Sequence, residues 1–288
     1  MALSYIGGKS KIGTWIRNYV PNNIETYVEP FSGMFWVFFK LNTPSFKNLK
    51  RVVYNDVNPL NVNLYLCLKD YKKFWEMTQN TPIENKELFD KCKSDLFDTE
   101  FVLDKENPNF DIAFKYAYVL SQVWSGTNPE KSKFIDLKGK YKSKFDSFKG
   151  KLTNDKWKKY FDMITICESM DFQDVIEKYD SSTTYFYCDP PYYKTEKYYA
   201  NHDFGLETHE RLANTLKATK GKFSLSYYDF TQLSEWFPKN EIGVGKNNQL
   251  TMFQETSYKW NQKDFAKAAA AKKDGTQNMG TELLIINY

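Results

Sequence analysis

The chain has 288 residues and a mass of 34.0 kDa, which is long enough for one large domain or two modest ones with a full hydrophobic core. Hydrophobic residues make up 41% of it, the mean hydropathy is -0.64, and no apolar run approaches the roughly 20 residues that cross a bilayer. This composition argues against membrane insertion. Because the first residues lack the apolar stretch of a secretory signal, we expect a cytoplasmic protein.

The small number of cysteines and histidines limits which metal sites, disulfides and histidine-based catalytic sites the chain can form. The four cysteines lie far apart with no CxxC pair, so we expect reduced core thiols and neither a zinc site nor a disulfide framework. They are Cys67, Cys92, Cys167 and Cys188. His202 and His209 are the only histidines, which removes most histidine-based metal and triad chemistries. We therefore expect no metal site.

Short β-like runs alternate with helical patterns in the outer parts of the chain. The runs lie at residues 26–29, 51–55, 184–188, 222–227 and 282–287. Helical patterns lie at residues 61–75, 206–217 and 230–236. This alternation is typical of an α/β domain.

The middle of the chain differs from both ends. From residue 81 to about residue 159 the strand signal is weak, and helix-like patterns lie at 84–97 and 110–124. We interpret this region, roughly residues 71–166, as a mainly helical insert in the α/β domain and not as a second domain after a linker. After it, Ala268 to Ala271 and the following 272–275 predict a helix end and a mobile loop.

The net charge of +4 conceals a strongly basic segment. Residues 131–159 contain 11 Lys and 3 Asp, so the segment carries +8 and the rest of the chain -4. Five aromatic residues lie within it: Phe134, Tyr141, Phe145, Phe148 and Trp157. With Gly139 and Gly150 as expected turns, the segment is more typical of a surface that contacts phosphates and stacks on bases than of a helix face. The alternative is a solvated lysine-rich loop without a partner.

We take six residues of this segment as candidates for nucleic-acid binding. They are Lys138, Lys140, Tyr141, Lys142, Lys144 and Phe145. Lysines at this density would neutralise phosphates, and rings between them would meet bases.

The strongest chemical signal is Asp189-Pro190-Pro191-Tyr192, directly after the predicted strand at 184–188. Two prolines donate no N–H and fix φ, so the strand cannot continue and its last acceptors are left rigid. A carboxylate, a carbonyl and an aromatic ring together suit a planar aromatic amine such as that of adenine, whose delocalised lone pair becomes more available when both N–H groups are bound. The alternative is a plain Asp-Pro turn.

Two further strand ends support a nucleotide-binding edge. Residues 28–33 read VEPFSG after the first strand, and residues 54–58 read YNDVN after the second. An acid at the end of the strand that follows a glycine-containing turn is the arrangement that binds a ribose diol, which points to Asp56. The GGKS at 7–10 is not a P-loop, because the first glycine of that motif would fall on Leu3.

These motifs, in this order, resemble the Dam-type DNA adenine-N6 methyltransferases, over the whole chain apart from the insert. The resemblance implies a Rossmann-like mixed sheet of about seven strands, with residues 1–70 and 167–288 as the catalytic domain and 71–166 as the target-recognition insert. It also implies transfer of a methyl group from S-adenosyl-L-methionine to N6 of a flipped-out adenine in double-stranded DNA, with S-adenosyl-L-homocysteine as product.

The resemblance also implies roles for single residues. Residues 5–9 are similar to the family's amino-terminal motif, so Tyr5 and Lys9 would contact the methionine part of the cofactor. The full cofactor-binding set that it implies is Tyr5, Lys9, Glu29, Phe31, Gly33, Asp56, Phe172 and Asp189. The catalytic set is Asp189, Pro190, Pro191 and Tyr192. Residues 209–212, 225–229 and 282–288 also look like family segments, and within them we expect His209 to be structural.

Two departures from the family limit what the resemblance implies. Met34, Phe35 and Trp36 follow Gly33 where the family has glycines, and residues 125–131 do not match the segment with which its members read GATC. GATC specificity is therefore not expected here. Methylation of cytosine N4, of adenine in RNA or of a glutamine, and a non-catalytic DNA-binding role, remain alternatives. Whether the host is a bacterium or a phage-infected cell, with or without a partner endonuclease, also stays open.

Overall fold

A mixed seven-stranded sheet forms the centre of the protein, in the strand order β3-β2-β1-β4-β5-β7-β6. The computed structural model describes residues 3, 8–82, 84–123, 128–136, 144–193, 204–239, 258–266 and 279–288. The strands are β1 Thr26–Glu29, β2 Arg51–Asn55, β3 Ile166–Glu168, β4 Thr184–Cys188, β5 Lys222–Tyr227, β6 Lys259–Ala266 and β7 Met279–Ile286. Strands β1 to β5 are parallel, and β7 is antiparallel to its neighbours β5 and β6. The α/β prediction with about seven strands is confirmed.

The sheet is buried on both faces, which explains why its parallel strands are nearly continuous apolar runs. Tyr27 and Val28 of β1 lie in two different hydrophobic clusters, one on each face, and successive residues of β2 and β4 alternate in the same way. Four of the five predicted strands have the bounds that the sequence indicated. The sequence missed β3, which has three residues, and β6, whose polar residues give no strand pattern.

Ten α-helices lie in the described ranges. They are α1 Gly13–Ile16, α2 Pro59–Lys69, α3 Tyr71–Thr78, α4 Lys86–Phe97, α5 Phe110–Ser121, α6 Lys144–Leu152, α7 Asp155–Met163, α8 Phe172–Tyr179, α9 Leu206–Ala218 and α10 Thr231–Trp236. The predicted helix at 61–75 is two helices, because Asp70 leaves helical geometry at the end of α2 and its side chain caps α3 by accepting from the Lys73 N–H. None of these helices is long and apolar enough to span a bilayer.

The expectation that the basic segment is not helical is wrong for its second half. Helices α6 and α7 occupy residues 144–152 and 155–163, and Gly150, expected in a turn, lies inside α6. Phe145, Phe148 and Leu152 of α6 are buried, as is Lys149, whereas Lys156 and Lys159 of α7 are exposed. Spacings of three and four residues between these apolar positions are helical.

Helices α3 to α7 fill the chain between α2 and β3 and share a hydrophobic cluster with one face of the sheet. Two asparagines of α2 connect the regions: Tyr116 of α5 donates to Asn61, and Asn63 exchanges hydrogen bonds with the Asn109 backbone. The division at residues 71 and 166 and the recognition role of the insert stay predictions. All four cysteines are free and buried, as expected.

Three strand ends meet at one edge of the sheet. Strand β1 lies between β2 and β4, and all three are parallel, so their carboxyl ends point the same way. The loops that follow carry Gly33, Asp56 and Asp189. Since β2 and β4 lie on opposite sides of β1, this edge is the point where the strand order reverses, which is where open α/β sheets bind their ligands.

Candidate active site

Asp189, the first residue after β4, belongs to a buried polar cluster of four side chains, which we call the acid cluster: Lys9, Asp189, Tyr192 and Glu282. Nζ of Lys9 lies 2.8 Å from Oδ1 of Asp189 and 3.4 Å from Oε1 of Glu282. The Tyr192 hydroxyl lies 3.1 Å from the same Asp189 oxygen and also hydrogen-bonds Oε1 of Glu282. One ammonium therefore faces two carboxylates, and the cluster carries excess negative charge when both are ionised.

Burial dominates the electrostatics of the acid cluster. It raises the pKa of Asp189 above its usual value, although Lys9 and the Tyr192 hydroxyl act in the opposite direction. Burial raises the pKa of Glu282 in the same way, and Lys9 again opposes it. Desolvation and the two nearby carboxylates raise the pKa of Tyr192 well above its usual value, so this residue is a neutral hydrogen-bond donor.

The two oxygens of Asp189 have different surroundings. Oδ1 takes the contacts with Lys9 and Tyr192, whereas Oδ2 accepts no hydrogen bond from the part of the chain that the structure describes. The side chain is 17% exposed, while that of Glu282 is 1% exposed. Asp189 is thus a fixed carboxylate with one oxygen directed to internal partners and the other available to an N–H donor.

The Tyr192 ring lies inside the protein. It stacks on Tyr227 at a centroid distance of 5.4 Å and meets Tyr228 edge-on, and the Lys9 ammonium lies 4.7 Å from its centroid. Pro190 and Pro191 before it are buried as well. The expectation that the Tyr192 ring stacks on a base stays a prediction, and in this conformation the residue contributes its hydroxyl to the acid cluster.

Asp56 connects the loops after β1 and β2. Its carboxylate accepts hydrogen bonds from the Gly33 N–H (2.9 Å), the Asn58 N–H (2.8 Å) and Nδ2 of Asn61 (3.0 Å). Gly33 has a φ of 47°, a left-handed value that glycine adopts without a steric cost. Asp56 therefore sets the shape of this edge of the sheet, and its contact with a ribose stays a prediction.

Glu29 has its carboxylate in the core. Oε1 accepts hydrogen bonds from the Tyr27 hydroxyl at 2.6 Å and from the Phe38 N–H at 3.1 Å. Burial raises its pKa well above the usual value, against the effect of these two hydrogen bonds. Its observed contacts hold the loop after β1 against the sheet, and its role toward a cofactor stays a prediction.

Three phenylalanine rings pack together above the same edge. The centroids of Phe31 and Phe172 are 5.4 Å apart, and each ring also contacts Phe204. Arg211 lies over the Phe172 ring at 4.1 Å and forms a bidentate ion pair with Asp171, the N-cap of α8. Phe172 is buried and has the Arg211 guanidinium over its ring, so the expected contact of Phe31 and Phe172 with a cofactor stays a prediction.

The candidate nucleic-acid contacts fall into two groups. Four of them lie outside the described residues: Lys138, Lys140, Tyr141 and Lys142. The cofactor candidate Tyr5 lies outside them as well. Lys144 is half-buried and donates from Nζ to the Val123 carbonyl, and burial lowers its pKa. Phe145 has no exposed surface and packs edge-on against Tyr118. The expected base-stacking ring is thus a core residue in this structure.

The sequence did not single out Glu282 as a functional residue. Its signal is weak: one acid opens the apolar run 283–286 at the end of the chain. Only the sheet order, which places β7 beside β5, brings it to Asp189. His209, expected to be structural, is buried on α9 and hydrogen-bonds the Tyr227 hydroxyl through Nδ1. The described ranges contain no group of side chains arranged to hold a metal ion.

Two comparisons with known proteins bear on this site. The model of the D12 class N6 adenine-specific DNA methyltransferase family matches residues 5–251, which include the loops after β1, β2 and β4. A type II methyltransferase, M.CviBI of Paramecium bursaria Chlorella virus NC1A, is 26% identical over 226 residues, which cover 76% of this chain and 79% of that protein.

Proposed function

The chain belongs to the D12 class N6 adenine-specific DNA methyltransferase family and is a DNA adenine-N6 methyltransferase, and we propose that the carboxyl edge of β1, β2 and β4 is its active site. The observation that carries this proposal is Asp189, whose Oδ1 is fixed by Lys9 and Tyr192 and whose Oδ2 accepts no hydrogen bond from the described residues. A carboxylate in this state accepts a hydrogen bond from an amine with little reorganisation.

The cofactor of this proposal is S-adenosyl-L-methionine, which when bound supplies an electrophilic methyl group. Phe31 and Phe172 would hold its adenine, and Asp56 its ribose. The packed rings and the acid at the end of β2 have the right chemistry for these two parts. Lys9 is committed to two carboxylates, so we place its main role in the acid cluster and not on the methionine part.

Asp189 has two tasks in this mechanism. Its Oδ2 accepts a hydrogen bond from the exocyclic amine, and the Pro190 carbonyl is the proposed second acceptor. Both interactions raise the availability of the nitrogen lone pair for in-line attack. When the nitrogen gains the methyl group it becomes positively charged, and Asp189 takes the proton that the nitrogen then loses. The target adenine must leave the helix to reach Asp189, at a cost of a few kcal/mol that DNA binding offsets.

The basic segment is the proposed DNA-contacting surface. Its proposed phosphate contacts include Lys138, Lys140 and Lys142, which lie outside the described residues. On α7 the exposed side chains of Lys156 and Lys159 add further positive charge. Such a surface positions DNA by neutralising phosphates. A relative is named a type II methyltransferase, and we propose that this chain modifies a specific DNA site.

A single-turnover experiment tests the assignment of Asp189. With saturating cofactor and DNA, Asp189→Asn should lower the rate of methyl transfer by at least about 100-fold, because the amide does not take the proton. Affinity for DNA should remain. Asp180→Asn is the matched control, since Asp180 is a surface acid that accepts from the Lys220 and Gly221 N–H groups. A rate for Asp189→Asn within about tenfold of the wild-type rate would contradict the proposal.

A further inference from the structure

Glu282 is a buried carboxylate that the mechanism above leaves without a task. It lies on β7, it is 1% exposed, and its contacts within the described residues are Lys9 and Tyr192. Both partners also contact Oδ1 of Asp189. A second acid thus competes with Asp189 for the same two donors.

The hydrogen count of this cluster limits its states. The Tyr192 hydroxyl has one hydrogen and two carboxylate neighbours, so it donates to only one of them at a time. The hydroxyl lies within hydrogen-bond distance of both carboxylates, while Lys9 lies nearer to Asp189 than to Glu282, by 2.8 Å against 3.4 Å. The two carboxylates therefore share both donors, and Lys9 acts more strongly on Asp189.

This arrangement resolves a conflict at Asp189. A buried lysine next to a carboxylate favours the ionised carboxylate, and it therefore makes the carboxylate a weaker base. A carboxylate that receives a proton from the amine must instead have a high proton affinity. Glu282 divides the positive charge of Lys9 between two carboxylates, and its own negative charge raises the proton affinity of Asp189.

We propose that Glu282 is a positioning residue for methyl transfer: it shares Lys9 and Tyr192 with Asp189 and thereby keeps Oδ2 of Asp189 basic enough to take the amine proton. This inference rests on the proposed function of Asp189. In the step itself, the nitrogen–methyl bond forms and the bond between the methyl and sulfur breaks with its electron pair staying on sulfur. One N–H bond then breaks, its electrons stay on nitrogen, and the proton forms an O–H bond with Oδ2.

Other titratable groups face the cluster and belong in any account of its pH dependence. The charge of Asp189 raises the pKa of Glu29 of β1, and the charges of Asp189 and Glu282 raise the pKa of Tyr187 of β4. The charges of Glu282 and Asp189 raise the pKa of Tyr228, which follows β5, and the charge of Lys9 lowers it. The pKa of each of these groups is raised, mainly by burial, so the tyrosines stay neutral across the physiological range.

The test measures the titration of Asp189 directly. Protein labelled with carboxyl ¹³C-aspartate is titrated by NMR without cofactor or DNA, and Asp189→Asn assigns the signal. In Glu282→Gln, the Asp189 midpoint should fall by about one pH unit, because the full charge of Lys9 then acts on Asp189. In Lys9→Met it should rise. Glu282→Asp retains the charge and should keep the midpoint near the wild-type value.

A matched control and a kinetic readout complete the test. Glu168→Gln makes the same chemical change at a buried acid that faces Lys105 and Lys178, and it should leave the Asp189 midpoint unchanged. The pH at which the single-turnover rate falls on the acidic side of its pH profile should shift with the Asp189 midpoint in each variant. An unchanged Asp189 midpoint in folded Glu282→Gln would overturn the inference and leave Glu282 a structural residue. Because the titration needs no methyl transfer, it separates this failure from a failure of the proposed function.

Discussion

Replacing Asp56 should damage stability and cofactor binding together, because one carboxylate holds two loops in place. Asp56→Ala removes the acceptor of three hydrogen bonds, from the N–H groups of Gly33 and Asn58 and from the side chain of Asn61. Asn61 is fully buried, whereas Gly33 and Asn58 are half-buried. Removing the partner of a buried donor costs about 1–3 kcal/mol, and more when the partner is charged.

We therefore expect Asp56→Ala to lower the free energy of unfolding by about 2–3 kcal/mol, with most of the loss at Asn61. For a chain of this size, that loss corresponds to a melting temperature about 3–5 °C lower. The affinity for S-adenosyl-L-homocysteine should fall by about 1.5–3 kcal/mol, because the loop at Gly33 is no longer fixed and the ribose loses an acceptor.

Thermal melting and calorimetric titration measure the two effects, with Asp104→Ala as the matched control. Asp104 also accepts three hydrogen bonds, from the Glu106 and Asn107 N–H groups and the Asn107 side chain, but it lies in an exposed turn. Its loss should change the melting temperature less than that of Asp56. If the two variants melt alike, burial of the Asp56 network does not stabilise the fold and the reasoning fails. If affinity for the product is unchanged in Asp56→Ala, the cofactor does not lie at this edge.

Three further outcomes are expected. Burial raises the pKa of Glu168, but hydrogen bonds from Lys178, Lys105 and Tyr179 outweigh it and lower the pKa to about 2. This folded value lies below the ordinary one, so the stabilisation is complete above about pH 5 and is lost as the pH falls toward 2. The free energies of unfolding of wild type and Glu168→Gln, measured by urea denaturation, should therefore converge over that window. A difference between them that stays constant with pH would contradict this expectation. Phe145→Ala should cost about 3–5 kcal/mol of stability, as a fully buried ring does, and leave DNA affinity near the wild-type value at a temperature where the variant is folded. In a salt titration of DNA binding, alanine at Lys138, Lys140 and Lys142 should flatten the slope of log affinity against log salt by about 0.9 per lost contact, whereas Lys144→Ala alone should leave it unchanged because its ammonium binds the Val123 carbonyl.

The sequence predicted those parts of the fold in which local pattern and burial agree. Strands β1, β2, β4 and β5 are short apolar runs because both faces of the sheet are covered, and their bounds were correct. Strand β6 was not predictable in this way, because among the described strands it pairs with β7 alone and its residues are largely polar and exposed. The pairing partner, and not the residue pattern, makes it a strand.

The basic segment shows how a correct observation can hide a second pattern. The segment is rich in lysine, but Phe145, Phe148 and Leu152 also repeat at helical spacing, and all three are buried in the structure. Aromatic rings between lysines therefore indicated a helix packed on the core as well as a surface. Charge alone does not distinguish a ring that meets a base from a ring that anchors the helix.

The candidate site was predictable to the extent that it follows strands. Asp56 and Asp189 were found because each directly follows a buried run, and parallel strands bring such ends together. Glu282 was not, because it precedes its apolar run and reaches Asp189 only through the reversed direction of β7. The double use of Asp56, as a loop organiser and a proposed ribose acceptor, also required the hydrogen bonds of the folded chain.

The identity of the modified base tests the central claim most directly. DNA from cells that express the wild-type protein or Asp189→Ala is digested to nucleosides, and N6-methyladenine and N4-methylcytosine are measured by mass spectrometry. We expect N6-methyladenine with the wild type and background levels with Asp189→Ala, provided that the variant remains folded and binds DNA. N4-methylcytosine as the main product, or undiminished N6-methyladenine in the variant, would contradict the assignment of this edge of the sheet as an adenine-methylating site built on Asp189.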